Sequence, residues 1–246
     1  KDPTSYYMRD IMYPGASKLD DAWISLSTYT HATGVSFSSP GANLPPQPFF
    51  VVEGFIPEDS QSTGYLLPSV VLENRIDLTP LTGGDAEISV TDTLSNVLYS
   101  THVRLADGDD TYVYERVAAS PEAQAIALYR DGVLQDQILR SPSAPEVTIL
   151  SPTAGEVLTY TSEVSWSATD ADGDAMHAFI QYSHDDGTSW LPLAAHAPST
   201  GSIPIDVDKL PAGDSVRIRV IVSDGMNTTF ESVVGLRLPY NKPPQV

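Results

Sequence analysis

The 246-residue chain has no cysteine, which removes disulfide frameworks, thiolate metal sites and cysteine nucleophiles together. The compartment stays open on this ground, because extracellular β-modules of bacteria and archaea often lack disulfides. Basic residues are scarce as well. Thirteen Lys and Arg face 32 Asp and Glu, for a formal charge of -19 and a pI near 4.3, so most of the surface repels polyanions. Nucleic acid and anionic membranes are thereby excluded as partners. No apolar run reaches the ~18 residues of a membrane-crossing helix, and the start lacks the charged-then-apolar pattern of a signal peptide, so no membrane insertion is expected. The five histidines are His31, His102, His177, His184 and His196; none are spaced His-x-x-x-His, and no His-Glu pair occurs. A helix-borne zinc hydrolase site cannot be assembled from them. No Gly-x-Ser-x-Gly elbow supports a serine nucleophile either.

What the chain does have is period-2 alternation. Val164, Trp166 and Ala168 alternate with Glu163, Ser165 and Ser167, and Ala178, Ile180 and Tyr182 alternate with Phe179, Gln181 and Ser183. These patterns predict half-buried strands on either side of the acidic turn Asp170-Ala171-Asp172-Gly173-Asp174, with Trp166 at the centre of a sandwich core. Asp186-Gly187 suits a tight hairpin before Trp190.

The same reading extends along the chain. The proline-rich stretch Ala42–Pro48 marks one boundary and Ser141-Pro142-Ser143-Ala144-Pro145 a second, stiff one that restricts the orientation of what it joins. Between them the expected strands are 49–56, 64–72, 86–91, 97–105, 111–117, 123–130 and 133–139, with Asp131-Gly132 as the surest hairpin. After the second joint they are 147–150, 157–159, 163–168, 178–183, 190–194, 202–207, 215–223 and 232–238. On 215–223, Val216, Ile218, Val220 and Val222 form the core face and Arg217, Arg219, Ile221 and Ser223 the mostly wet one. The expected fold is all-β: two tandem immunoglobulin-like or fibronectin III-like β-sandwiches, residues 42–142 and 143–240, after a short non-β leader (1–41) and before a linker (241–246) that suggests a fragment of a longer protein.

Two resemblances sharpen this. Asp10-Ile11-Met12, followed by Trp23-Ile24-Ser25 and Tyr29, resembles the Met-turn and following helix that end the catalytic domain of secreted zinc metallopeptidases of the metzincin and gametolysin-like type. That likeness implies Met12 as the apolar floor methionine, with Asp10 in its turn, but the histidine ligands of the family are absent, so no zinc site is complete in this chain. The second region is similar to the fibronectin type III and immunoglobulin-like modules of secreted bacterial and archaeal proteins. The matching residues are Trp166, Asp170 to Asp174, Tyr182-Ser183-x-Asp185-x-Gly187-x-x-Trp190, Leu210-Pro211-Ala212-Gly213 and Val220 to Gly225, while Ser215 and Val216 stand where fibronectin modules carry a corner tyrosine.

Asp170, Asp172 and Asp174 set hard oxygen ligands at alternate positions and are the candidate calcium site, although the loop is not an EF-hand: Gly173 sits at position four and Gln181 at twelve. Asp107, Asp109 and Asp110 form a weaker cluster and Asp185 with Asp186 a third; all can equally be read as turn formers. His177 and His184 read as turn or surface residues. Asn227-Thr228-Thr229 matches a glycosylation sequon. The functional expectation is a non-catalytic spacer or accessory region, extracellular, C-terminal to a metallopeptidase-like domain, whose partners are the neighbouring domains of its own polypeptide. The alternatives are a subunit of an extracellular filament or surface layer that binds copies of itself, and a carbohydrate-binding module that would present Tyr112, Tyr114 or Phe179 to a polysaccharide.

Overall fold

The computed structural model describes residues 47–239 apart from 75–77 and 107. The leader, with Asp10, Met12 and the expected short helix, lies outside the described residues.

Eight strands precede residue 140: β1 (Gln47–Ile56), β2 (Tyr65–Leu66), β3 (Val70–Asn74), β4 (Ala86–Thr91), β5 (Val97–Val103), β6 (Thr111–Ala118), β7 (Ala125–Arg130) and β8 (Val133–Leu139). In one sheet the long β1 pairs with β6 on one flank and with β2 and then β3 on the other; the second sheet has the order β5-β4-β7-β8. Seven strands follow: β9 (Glu146–Ser151), β10 (Glu163–Thr169), β11 (His177–Ser183), β12 (Leu191–Pro198), β13 (Gly201–Pro204), β14 (Gly213–Ser223) and β15 (Thr228–Leu238), with one 3₁₀ turn at Val207–Lys209. They form sheets ordered β13-β10-β9 and β12-β11-β14-β15. Every strand pair is antiparallel, and the two four-stranded sheets repeat one topology. The chain is thus all-β, built as two sandwiches in tandem. The remaining sheet of each sandwich differs: three-stranded in the second, where β10 lies between β9 before it and β13 after it in sequence, and four-stranded in the first, where β1 is flanked only by strands that follow it.

Alternation explains the second core. Val164, Trp166 and Ala168 from β10 meet Ala178, Ile180 and Tyr182 from β11 and Val216, Ile218, Val220 and Val222 from β14, all buried. Trp166 is 1% exposed and its indole N–H donates to the Pro198 carbonyl at 3.0 Å, so the ring is dry without an orphaned donor. The Tyr182 hydroxyl likewise donates to the Pro211 carbonyl at 2.6 Å. The first core gathers Phe50, Val52 and Ile56 from β1 against Ile88, Val90, Ile126 and Leu128. Asp131 (φ 51°) and Gly132 (φ 75°) make the expected β7–β8 turn, both in the left-handed region such hairpins need.

Three expectations are corrected. The run 64–72 is two short strands, since Pro68 cannot donate to a ladder and interrupts it. Residues 157–159 make no strand, only an isolated bridge from Val157 to Arg237. The outward face of β14 is not wet throughout: Arg217 and Arg219 are half-exposed, but Ile221 and Ser223 are buried, because the first sandwich covers that end of the sheet.

Candidate functional site at the joint between the sandwiches

β1 reads Phe49-Phe50-Val51-Val52, and all four are buried, which a strand with one wet face would not tolerate. Phe50 and Val52 enter their own core. Phe49 and Val51 point the other way and, with Val70 of β3, pack on Ile221 of β14; Leu72, Leu78, Tyr114 and Phe179 close the rim. The outer face of the β1 sheet therefore lies against the outer face of the β14 sheet. Phe179, Ile221 and Phe230 stand in one cross-strand row, Ile221 buried, Phe179 half-buried and Phe230 exposed.

A second contact extends from the β14–β15 turn. Met226 at its tip is 1% exposed and belongs to the core of the first sandwich, not its own. The turn is fastened by hydrogen bonds: the Ser69 hydroxyl donates to the Gly225 carbonyl, the Ser223 hydroxyl donates to the Ser69 carbonyl at 2.6 Å, and the Val71 amide donates to the Thr228 hydroxyl oxygen at 2.9 Å. Gly225 is required here: its φ is 121°, and a Cβ would fall 2.9 Å from Ile138 Cγ2.

The linker is clamped as well. The Asn227 amide nitrogen serves the Ser141 carbonyl (3.2 Å), the Ser143 carbonyl (3.0 Å) and Asp224 Oδ2 (2.9 Å), while Asn227 Oδ1 accepts from Arg140 at 2.6 Å. The sequon asparagine is thus a structural clamp whose amide is engaged in the folded chain. Orientation is restricted by this packing and not by the prolines alone.

The third contact is polar and buried. Glu53 of β1 pairs with His196 of β12 at 3.1 Å, each side chain only 15% exposed, and the Tyr112 hydroxyl of β6 donates to Glu53. His196 meets His177 edge-on (ring centroids 5.7 Å, 80°) and Phe179 (5.0 Å, 63°). A bulge presents it: Ala178 pairs with Ala197 and Ile180 with Ala194, so Phe179 faces the two residues Ala195 and His196, and His196 takes φ 49°. Burial alone would favour neutral groups. For Glu53 it is outweighed by the His196 charge and hydrogen bond, the Tyr112 hydroxyl and His177, which hold the carboxyl below its ordinary range. For His196, burial is outweighed by Glu53, which raises the imidazole. For His177, burial and then the His196 charge prevail over Glu53 and lower it. Burial, then Glu53, pushes the Tyr112 phenol far up.

This cluster was not readable in the sequence, where His177 is only a surface or turn candidate and Glu53 and His196 stand 143 residues apart. The one signal was a lone glutamate in the apolar run Phe49 to Ile56. The aromatics that a polysaccharide platform would need are spent at the joint: Tyr114 and Phe179 are in its apolar rim and Tyr112 is bound to Glu53. Trp190 has the Arg219 guanidinium over its ring at 4.0 Å.

The acidic turn behaves as its spacing suggests. One ligand atom each from Asp170, Asp172 and Asp174 lies within 4.8 Å of the others, and among the described residues this is the one such trio. Asp170 Oδ1 accepts the amides of Asp172 (2.8 Å) and Gly173 (3.0 Å), shaping the loop, while its Oδ2 is buried without a hydrogen-bond partner. Asp172 Oδ2 accepts the Ser143 amide of the linker at 2.7 Å, so the turn touches the joint. The other acidic groups are structural. Asp110 accepts the Glu58 amide, Asp109 the Asp110 amide, and Asp186 pairs with Arg217, while Asp107 lies outside the described residues. Asp185, despite some desolvation, is drawn down to about 2 by hydrogen bonds from Ser189 and Ser183. His102 and His184 do not join the His177–His196 cluster.

No family model matches the chain, and no curated protein matches it. Among solved structures, the fibronectin(III)-like modules of Clostridium thermocellum CbhA match at 15% identity and a TM-score of 0.32, covering 71% of this chain and 90% of that one. A likeness this shallow says nothing of activity or partner. No helix among the described residues is long and apolar enough to cross a membrane.

Proposed function

We propose that the chain is a non-catalytic spacer of a secreted or cell-surface protein, which holds neighbouring domains of its own polypeptide in fixed relation as one rigid two-sandwich body. The observation that carries this is the dry contact of Phe49, Val51 and Val70 with Ile221, reinforced by Met226 buried in the opposite core. Beads on a flexible string would leave these faces polar, since exposed apolar patches are aggregation liabilities. A metallopeptidase-like domain as the preceding neighbour rests on the resemblance around Met12, and an upstream His-Glu-x-x-His helix in the parent gene is its test. Calorimetry tests the rigid body: heat is expected to unfold both sandwiches in one transition, and two well-separated transitions would overturn the reading.

The same proposal includes Ca²⁺ at Asp170, Asp172 and Asp174, because three carboxylates this close repel one another unless a cation or hydrogen bonds offset the charge. Millimolar Ca²⁺ is expected to raise the melting temperature by mass action. Asp174→Asn, which leaves the Asp172 bond to the linker untouched, abolishes the increment. An equal rise in wild type and variant, or none in either, removes the site.

A further inference from the structure

We propose that Glu53, His196 and His177 form a proton-operated latch, which keeps the sandwiches closed against each other near neutral pH and lets them part in acid. The inference rests on the rigid-body reading above and adds its regulation. Three features carry it: the Glu53–His196 pair crosses the joint, each side chain is only 15% exposed, and a second imidazole on the same side stands 5.7 Å away, ring to ring. The titratable groups packed around it are Tyr112 and Tyr114 from β6, Tyr65 from β2 and His177 from β11. Burial and Glu53 keep the Tyr112 phenol neutral through the range concerned, and the positive charge acting on Glu53 comes from the two imidazoles.

Each group has a definite sign. His196 is raised, so its contribution is complete below the ordinary imidazole value of ~6.5 and is lost as pH rises through its folded value. Glu53 is lowered, so its contribution is present above the ordinary carboxylate range and is lost as pH falls through its folded value. His177 is lowered, so the closed joint resists its protonation, and a penalty grows as pH drops below ~6.5. Closure is therefore firmest near neutrality. In acid His177 gains a proton beside cationic His196, so that two imidazolium ions share a buried seam with the single Glu53 carboxylate, and parting the faces hydrates the excess charge.

The absence of cysteine makes the test clean. Glu122→Cys and Glu163→Cys, one exposed site on each sandwich, take a pair of spin labels for distance measurement on the full chain. A single narrow distance at about pH 7 is expected; a broad one there would instead sink the rigid-body reading itself. Between about pH 6.5 and about pH 4.5 the distribution should broaden and lengthen while the near-ultraviolet circular dichroism of the buried aromatics persists. His177→Gln should move the acid midpoint down, with the open fraction at a given acid pH falling roughly tenfold for each pH step gained. Glu53→Gln, which removes the counter-charge but keeps the shape, should flatten the response and leave the joint looser at neutral pH. A distance unchanged down to about pH 4.5, or an acid midpoint identical in wild type and His177→Gln, overturns the proposal. If His177→Gln fails to fold, the wild-type titration decides by itself.

Discussion

Met226→Ala will destabilise the first sandwich, although the residue belongs to the second, and the expected loss is about 2–5 kcal/mol. The side chain is 1% exposed among core residues of the first sandwich, so truncation leaves a cavity that close-packed neighbours cannot fill. The neighbours are stiff: the turn is tied through Ser69, Ser223 and Thr228, which limits collapse into the hole. The readout is hydrogen exchange under mild urea. Protection of amides in β4 and β7 of the first sandwich should fall in step with global stability, and Met226→Leu, similar in volume, should restore most of it. A loss below about 1 kcal/mol, or one confined to amides of β10 and β14, would show that the turn merely rests on the surface.

Trp166→Ala will cost about 3–5 kcal/mol and will unfold the second sandwich first. The indole is the largest buried side chain of that core, and removing it also removes the N–H that donates to the Pro198 carbonyl at 3.0 Å. Trp166→Phe should recover the area but not the hydrogen bond, so it should sit between the two. Chemical denaturation followed by circular dichroism measures both. Because the joint couples the sandwiches, the alanine variant should also weaken the first one; if its amides in β4 and β7 keep wild-type protection, the two bodies are energetically independent.

The acidic turn and the joint stand at different depths of legibility. Asp170, Asp172 and Asp174 converge as their spacing implied, because three alternate positions within one turn are placed by local geometry and by the Asp170 hydrogen bonds to following amides. The Glu53–His196 pair joins strands from two sandwiches, and nothing local to either residue specifies it. Tyr112, Tyr114 and Phe179 illustrate the same limit from the other side. Alternation turns Phe179 away from its own core, but whether an outward face meets solvent, a ligand or a second sandwich is not a local property.

The sequence by itself determined most of the strands, their inward faces and the Asp131-Gly132 hairpin, since side-chain alternation and the backbone freedom of those two turn residues act within a few residues; Asp186-Gly187 lies instead in a longer loop between Ser183 and Leu191. It also carried a trace of the joint in two places where alternation breaks, Phe49 to Val52 and Val220 to Ser223, because only a strand covered on both faces can afford such runs. Tertiary structure alone decided that the two runs cover each other, that Met226 crosses into the neighbouring core, and that Glu53, His196 and His177 share one dry seam. Those contacts depend on the mutual placement of two preformed sandwiches, and burial changes the protonation of such groups only once that placement is made.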